Sequence, residues 1–188
     1  DLVRSNASPL DLRDAAGRIR ASMNPHPAGQ MTMNVPKLNG QEVPGLQHKY
    51  GETVLFFPTE GQRCHTYCTY CFRFAQFIGD ADLQFASNDA ALLLSYLQQN
   101  KQVTDVLFTG GDPAMLKSKQ LRRYVEPMLN NPDLEHISTI RIGSKSPAFW
   151  PYRFVTDDDA DDLLRLFEEI HGAGKHVSIM AHYTHPCE

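Results

Sequence analysis

From residue 53 onward, short apolar runs alternate with amphipathic stretches. "TVLFFPT" (53–59) is β-branched, aromatic and apolar, and it predicts a buried strand. Ser87 predicts the cap of a helix over "NDAALLLSYLQQN", with Leu92, Leu93, Leu94 and Leu97 on its buried face. "TDVLFTGG" (104–111) predicts a second strand, and "SKQLRRYVEPML" (118–129) a second helix that Pro127 kinks or ends. "ISTIRIG" (137–143) predicts a third strand. Thr156 predicts the cap of a third helix over "DDDADDLLRLFEEIHGAG", with acidic residues in its first turn and Gly172 or Gly174 at its exit. "HVSIMAHY" (176–183) predicts a fourth strand.

Alternating strands and helices, with strands apolar enough to be buried on both faces, predict an α/β fold. Its strands run parallel, in the manner of an incomplete (β/α) barrel. Polar and glycine residues collect after each strand: the cysteine-rich loop, "TGGDP", "GSKSP" and "HYTHP". Parallel α/β folds bind ligands at that carboxyl edge, so four loops are expected on one rim. Residues 1–50 hold five of the twelve prolines, and beyond a short helix over Asp11–Met23, broken by "NPHPAGQ", they read as an irregular arm. The expected division is therefore 1–50 for the arm and 51–188 for the barrel part. An apolar parallel edge left after the fourth strand leads to the expectation of a piece of a longer protein.

Composition changes this picture little. The chain has 188 residues, 41% of them hydrophobic and 21% charged, as ordinary globular proteins do. A net charge of −4 gives no electrostatic case for nucleic acid or anionic membrane as the main partner. No apolar run approaches the ~20 residues that span a bilayer. Three of the four cysteines lie within eight positions, unlike a disulfide framework, and this favours a reducing, cytoplasmic setting.

Those three, Cys64, Cys68 and Cys71, form a C-x3-C-x2-C pattern. Thiolates hold iron–sulfur clusters, and three of them on a four-iron cubane leave one iron open to bind another molecule. Structural zinc using Cys64, His65, Cys68 and Cys71 is an alternative, although adjacent ligands such as Cys64 and His65 rarely point into one tetrahedron. Three thiols buried without a metal are another. In "FTGGDP" (108–113), Gly110 and Gly111 allow backbone to approach a ligand closely.

The cysteine spacing after the first strand of a βα series resembles the radical SAM superfamily. Taken in order, "VPGLQHKYGETVLFF", the cysteine motif with "CFR", "TGGDP", "IRIGSKSP" and "HYTHPCE" resemble its lysine 2,3-aminomutase family, from about residue 43 to the end. The resemblance implies a radical SAM type barrel and a [4Fe–4S] cluster on Cys64, Cys68 and Cys71. Its open iron chelates S-adenosylmethionine, whose reductive cleavage yields a 5′-deoxyadenosyl radical that abstracts hydrogen from an amino acid. An amino shift assisted by pyridoxal phosphate follows.

By position, the resemblance places Tyr70 against the adenine and assigns Gly110, Gly111 and Asp112 to the loop that holds the methionine amino group. Ser144, Lys145 and His182 match cofactor-binding positions, and Arg73 matches the arginine that binds the substrate carboxylate. Lys145 stands where the family more often has arginine. Thr53 stands where lysine mutases have an arginine that assists pyridoxal phosphate, and "FFPTEGQRC" is longer than usual. The pyridoxal lysine would lie beyond residue 188. These departures leave open a same-fold radical SAM enzyme without pyridoxal phosphate. A zinc-stabilised, non-catalytic binding module is the alternative from another class. The implied partners are an amino-acid substrate and an electron donor such as flavodoxin or ferredoxin, with a homo-oligomer left open. His185 reads as satisfying local backbone, Cys187 as a buried thiol, and the acidic run Asp157–Asp162 as a solvated helix start.

Overall fold

The computed structural model describes residues 5–23, 29, 31–68, 70–77 and 83–188. They fall into two compact units, Asp1–Met31 with Tyr67–Gln84, and Thr32–Thr66 with Phe85–Glu188.

In the smaller unit, helix α1 spans Pro9–Met23. Ser8 donates its hydroxyl to the Asp11 carboxylate and accepts the Asp11 N–H, a reciprocal start for the first turn. The break expected at "NPHPAGQ" lies, apart from Gly29, outside the described residues. The other short helix of this unit, α2, spans Phe74–Phe77.

The larger unit contains a hairpin, β1 (Lys37–Leu38) with β2 (Gln41–Glu42), and a five-stranded sheet. Asn39 and Gly40 turn the hairpin at φ 52° and 82°. Successive positive φ values at Asn-Gly are those of a type I′ turn, whose twist matches the paired strands. The sheet runs in the order β3 (Leu46–Gln47), β4 (Thr53–Phe56), β5 (Asp105–Phe108), β6 (Thr139–Ser144) and β7 (His176–Ala181). Strands β4 to β7 are mutually parallel, whereas β3 is antiparallel to β4 and covers its edge. Residues 32–50 are thus an ordered hairpin and an edge strand, where an irregular arm was expected.

Helices α3 (Ala90–Gln99), α4 (Ser118–Leu129) and α6 (Ala160–Gly172) connect the parallel strands, with the short α5 (Ser146–Phe149) after β6. The expected caps shift by a few residues. The Ser87 hydroxyl accepts the Asp89 N–H, and Asp89 caps α3 by accepting from Leu92 N–H at 2.8 Å. Asp159 rather than Thr156 precedes α6, its carboxylate drawn elsewhere. Helix α4 carries Pro127, which removes one backbone donor, and ends two residues later at Leu129.

Side chains alternate along the strands. Val54, Phe56, Val106, Phe108, Ile140 and Ile142 are buried and share one core with Leu93 and Leu97 of α3, Tyr124 and Met128 of α4, and Leu166 and Ile170 of α6. The opposite face is only half-buried and carries Thr53, Leu55, Asp105, Leu107, Thr139 and Arg141. This departs from strands buried on both faces. Its reason is a period of two in "TDVLF" and "TIRIG", which sets Asp105 and Arg141 opposite the apolar row. The two meet there: Arg141 Nε donates to Asp105 Oδ1 at 2.9 Å, its NH2 donates to Oδ2, and Thr53 Oγ1 donates to Oδ2 at 3.0 Å. The fold is α/β with a parallel sheet, as expected.

Candidate functional site

In the larger unit the site lies at the carboxyl edge of the sheet, where four loops are tied to one another in series. The loop after β4 begins with a 3-10 turn, Thr59–Gly61. Glu60 in that turn accepts the Tyr124 hydroxyl at 2.9 Å and an Arg123 N–H at 2.8 Å, which fastens the loop to α4. Tyr124 is fully buried, and burial together with the Glu60 carboxylate pushes its phenol up to about 12.

The following residues pair with the glycine loop by backbone alone. Gly111 N–H donates to Gly61 O at 3.1 Å and Asp112 N–H to Arg63 O at 2.8 Å. A side chain at Gly110, whose φ is 136°, would start 2.1 Å from Gln62 Nε2, and one at Gly111 would start 2.2 Å from Arg63 O. At Gly111 the neighbour is backbone of the loop that leads to Cys64, which excludes a side chain, whereas at Gly110 the neighbour is a flexible side-chain end and the positive φ is what favours glycine.

Asp112 joins the second loop to the third. Its side chain is buried, with Oδ1 accepting from Ala114 N–H at 3.0 Å and from Ser144 Oγ–H at 2.7 Å, and Oδ2 accepting from Lys145 N–H at 2.9 Å. The Ser144 oxygen in turn accepts the Ser146 N–H at 2.9 Å, at the start of α5. His65 Nε2 lies 3.6 Å from Asp112 Oδ2, and its ring stacks on Phe149 with centroids 6.1 Å apart. His65 is thus turned to Asp112.

The fourth loop hangs from the third. Ser144 O accepts the His182 N–H at 2.9 Å. Lys145 is buried, with Nζ donating to Thr184 Oγ1 and Glu188 Oε2 at 2.8 Å each and lying over the Phe149 ring. Hydrogen bonds from Lys145 and Thr184 hold the Glu188 carboxyl down at about 2. Arg153, which the motifs did not single out, braces the same edge. It donates to Ala114 O at 2.7 Å and Leu116 O at 3.0 Å and forms an ion pair with Asp159. Burial would raise the Asp159 carboxyl, but the Ser118 N–H and Arg153 outweigh it and hold it below its usual range. Its signal in the sequence was an arginine within "FWPYRFV", an otherwise aromatic and apolar stretch.

Cys64 belongs to this unit, half-buried, its Sγ 3.3 Å from Thr66 Oγ1. Cys68 and Cys71 belong to the smaller unit, also half-buried. There the Cys71 N–H donates to Cys68 O at 2.9 Å and the Phe74 N–H to Cys71 O at 3.0 Å, consecutive turns that lead into α2. The Arg73 N–H points at Cys71 Sγ, 3.3 Å away. Such a donor is complementary to the negative sulfur of a metal-bound thiolate. Arg73 is buried, and desolvation pulls its guanidinium down to about 10 against the opposing pull of Cys71, which leaves it cationic at neutral pH. Tyr70 is 62% exposed.

None of the three cysteines is in a disulfide and all have partial access, which fits the donor set of a cluster held by thiolates. Cys187, expected to be buried, is exposed. Among the described residues, no group of three or more His, Cys, Asp and Glu side chains is gathered as a metal site, and no helix is long and apolar enough to cross a membrane.

No protein-family model matches the chain. It is similar to a protein of Aquifex aeolicus provisionally named L-lysine 2,3-aminomutase, at 36% identity over 148 residues, 78% of this chain and 37% of that protein. It is similar as well to the L-lysine 2,3-aminomutases of Clostridium subterminale, at 32% identity, and Acetoanaerobium sticklandii, at 30%. Each of these alignments covers 78% of this chain and 32% of the relative. The chain spans about a third of the length of the relatives it matches.

Proposed function

Because the chain belongs to a lysine 2,3-aminomutase-like family, and with it to the radical SAM superfamily, we propose that it is the cluster-bearing part of an amino-acid aminomutase. Residues 51–188 form part of a (β/α) barrel, preceded by an N-terminal segment, 1–50, whose strand β3 pairs with β4. Cys64, Cys68 and Cys71 hold a [4Fe–4S] cluster that, when bound, passes an electron from a flavodoxin or ferredoxin to S-adenosylmethionine and so generates the hydrogen-abstracting 5′-deoxyadenosyl radical.

The chain's own residues bind and orient. Tyr70 offers an exposed ring to the adenine, and the backbone of Gly110 and Gly111 offers polar groups to the methionine moiety. Ser144, Lys145 and His182 belong to the same cofactor-binding edge. Arg73 binds the carboxylate of an amino-acid substrate, for which a planar, permanently charged fork is suited. The enzyme works in the cytoplasm and uses pyridoxal phosphate in the amino shift. The observation that carries the reading is a loop with three thiols outside any disulfide that leaves a parallel strand at the carboxyl edge, in a chain of this family.

A second reading keeps the radical machinery without pyridoxal phosphate. It is favoured by Thr53, which stands at the family's arginine position with its hydroxyl committed to Asp105.

Anaerobic reconstitution of the full-length protein tests both. About four irons and four sulfides per chain are expected, with 5′-deoxyadenosine formed under reducing conditions. Each of Cys64→Ala, Cys68→Ala and Cys71→Ala abolishes the cluster absorbance and that product. A variant that keeps an intact cluster removes its cysteine from the ligand set. Visible pyridoxal absorbance with conversion of an α- to a β-amino acid supports the first reading. Deoxyadenosine without that absorbance supports the second. Bound zinc in place of iron refutes both.

A further inference from the structure

We infer that Asp112 is a positioning residue that clamps the chain on both sides of Cys64, so that its carboxylate sets the placement of the thiol and does not bind a ligand. The inference starts from saturation. Three donors of the chain converge on the buried carboxylate, the Ala114 and Lys145 N–H groups and the Ser144 hydroxyl. A carboxylate at 1% exposure that already accepts three hydrogen bonds has little surface left for a cofactor.

Its neighbours give it a second role. Cys64 stands between Arg63 and His65 in the chain. Asp112 holds Arg63 by the backbone, through its own N–H on the Arg63 carbonyl at 2.8 Å. It faces His65 by the side chain, 3.6 Å from Nε2, while Phe149 supports the ring from its flat side. One residue of the glycine loop thus touches both neighbours of the cysteine. The carboxylate is in turn fixed from the third loop by Ser144 and Lys145, 32 and 33 residues away in sequence. Gly111, which leaves no room for a side chain against Arg63, completes the contact. Backbone hydrogen bonds alone would allow residues 61–65 to peel from the edge, whereas the buried carboxylate ties that motion to opening of the third loop as well.

The link from this clamp to cluster binding rests on the proposed function, whereas the clamp itself is testable in metal-free protein. Alkylation of the reduced, metal-free full-length protein by iodoacetamide, resolved by peptide mapping, reports Cys64 against Cys68 and Cys71 as internal references. In Asp112→Asn the rate at Cys64 is expected to rise about fivefold or more relative to the other two. Ser144→Ala removes one donor and leaves the carboxylate's charge, and it raises the same ratio by about twofold or more. Arg122→Ala breaks the surface pair with Glu169 in the same unit and leaves the ratio unchanged. Unchanged labelling of Cys64 in either folded variant overturns the inference, as does an equal rise in the Arg122→Ala control. If Asp112→Asn fails to fold, with Cys64, Cys68, Cys71 and Cys187 reacting alike, Ser144→Ala decides by the same criterion. Iron loading at limiting iron is then expected to fall in Ser144→Ala. A wild-type protein that takes up no iron refutes the proposed function and leaves the labelling result standing.

Discussion

Arg73 shows how a single side chain combines cost and use. Its guanidinium is buried beside Cys71, at a position where burial penalises its charge, yet it stays cationic. Under the proposed function Arg73→Ala raises the KM for the amino acid while uncoupled formation of 5′-deoxyadenosine persists. Unchanged substrate affinity would remove Arg73 from the site. The glycines make a different point at the same scale. Read from sequence, Gly110 and Gly111 promise close approach to a ligand, and in the fold what approaches is the chain itself, the Gln62 side chain at Gly110 and the Arg63 backbone at Gly111. Gly111→Ala is expected to cost about 2 kcal/mol or more, because its neighbour is a carbonyl that cannot swing aside. Thermal unfolding of the variant measures this. Which residue types crowd the carboxyl edge was legible in the sequence. That Asp112 spends its carboxylate on the Ser144 hydroxyl and the Lys145 N–H was not, because those contacts join loops more than thirty residues apart.

At the scale of elements, periodicity located the four parallel strands and the three helices between them. It failed at their margins. The helix starts moved by two residues, from Ser87 to Asp89, and by three, from Thr156 to Asp159, and at the first the cap is chosen by competition: Ser87 and Asp89 both offer an oxygen, and the one that reaches Leu92 N–H begins the helix. The hairpin at Lys37–Glu42 was missed within a proline-rich arm although Asn39-Gly40 is its local signal. Elements also carry the anchor of the cysteine-bearing loop, through Glu60 and Tyr124 of α4. In the folded protein the Tyr124 phenol holds its proton up to about 12 against an ordinary 10.0, so folding is favoured below the lower value and loses that support as pH rises toward the upper one. Tyr124→Phe is expected to cost about 1 kcal/mol at neutral pH, since Arg123 still satisfies Glu60. It should also flatten the alkaline loss of stability in urea titrations across that range.

For the whole molecule, the sheet's second face matters most. Three helices cover one side of β4 to β6, while the other carries a half-buried Asp105–Arg141 pair with Thr53. Arg141→Met leaves the Asp105 carboxylate with the Thr53 hydroxyl alone and is expected to lower stability by about 1–2 kcal/mol, discounted for partial exposure. Adding Asp105→Leu should recover most of that loss, because an apolar pair replaces a charge left alone. Equilibrium unfolding of the single and double variants checks both. By itself the sequence determined the α/β alternation, the family and the three thiols, since each is a local pattern of residue types and spacing. Tertiary structure alone decided which face of the sheet is packed, which glycines meet backbone and which carboxylate binds three loops together. Those outcomes depend on distances between residues far apart in the chain, and one-dimensional periodicity holds no information about them.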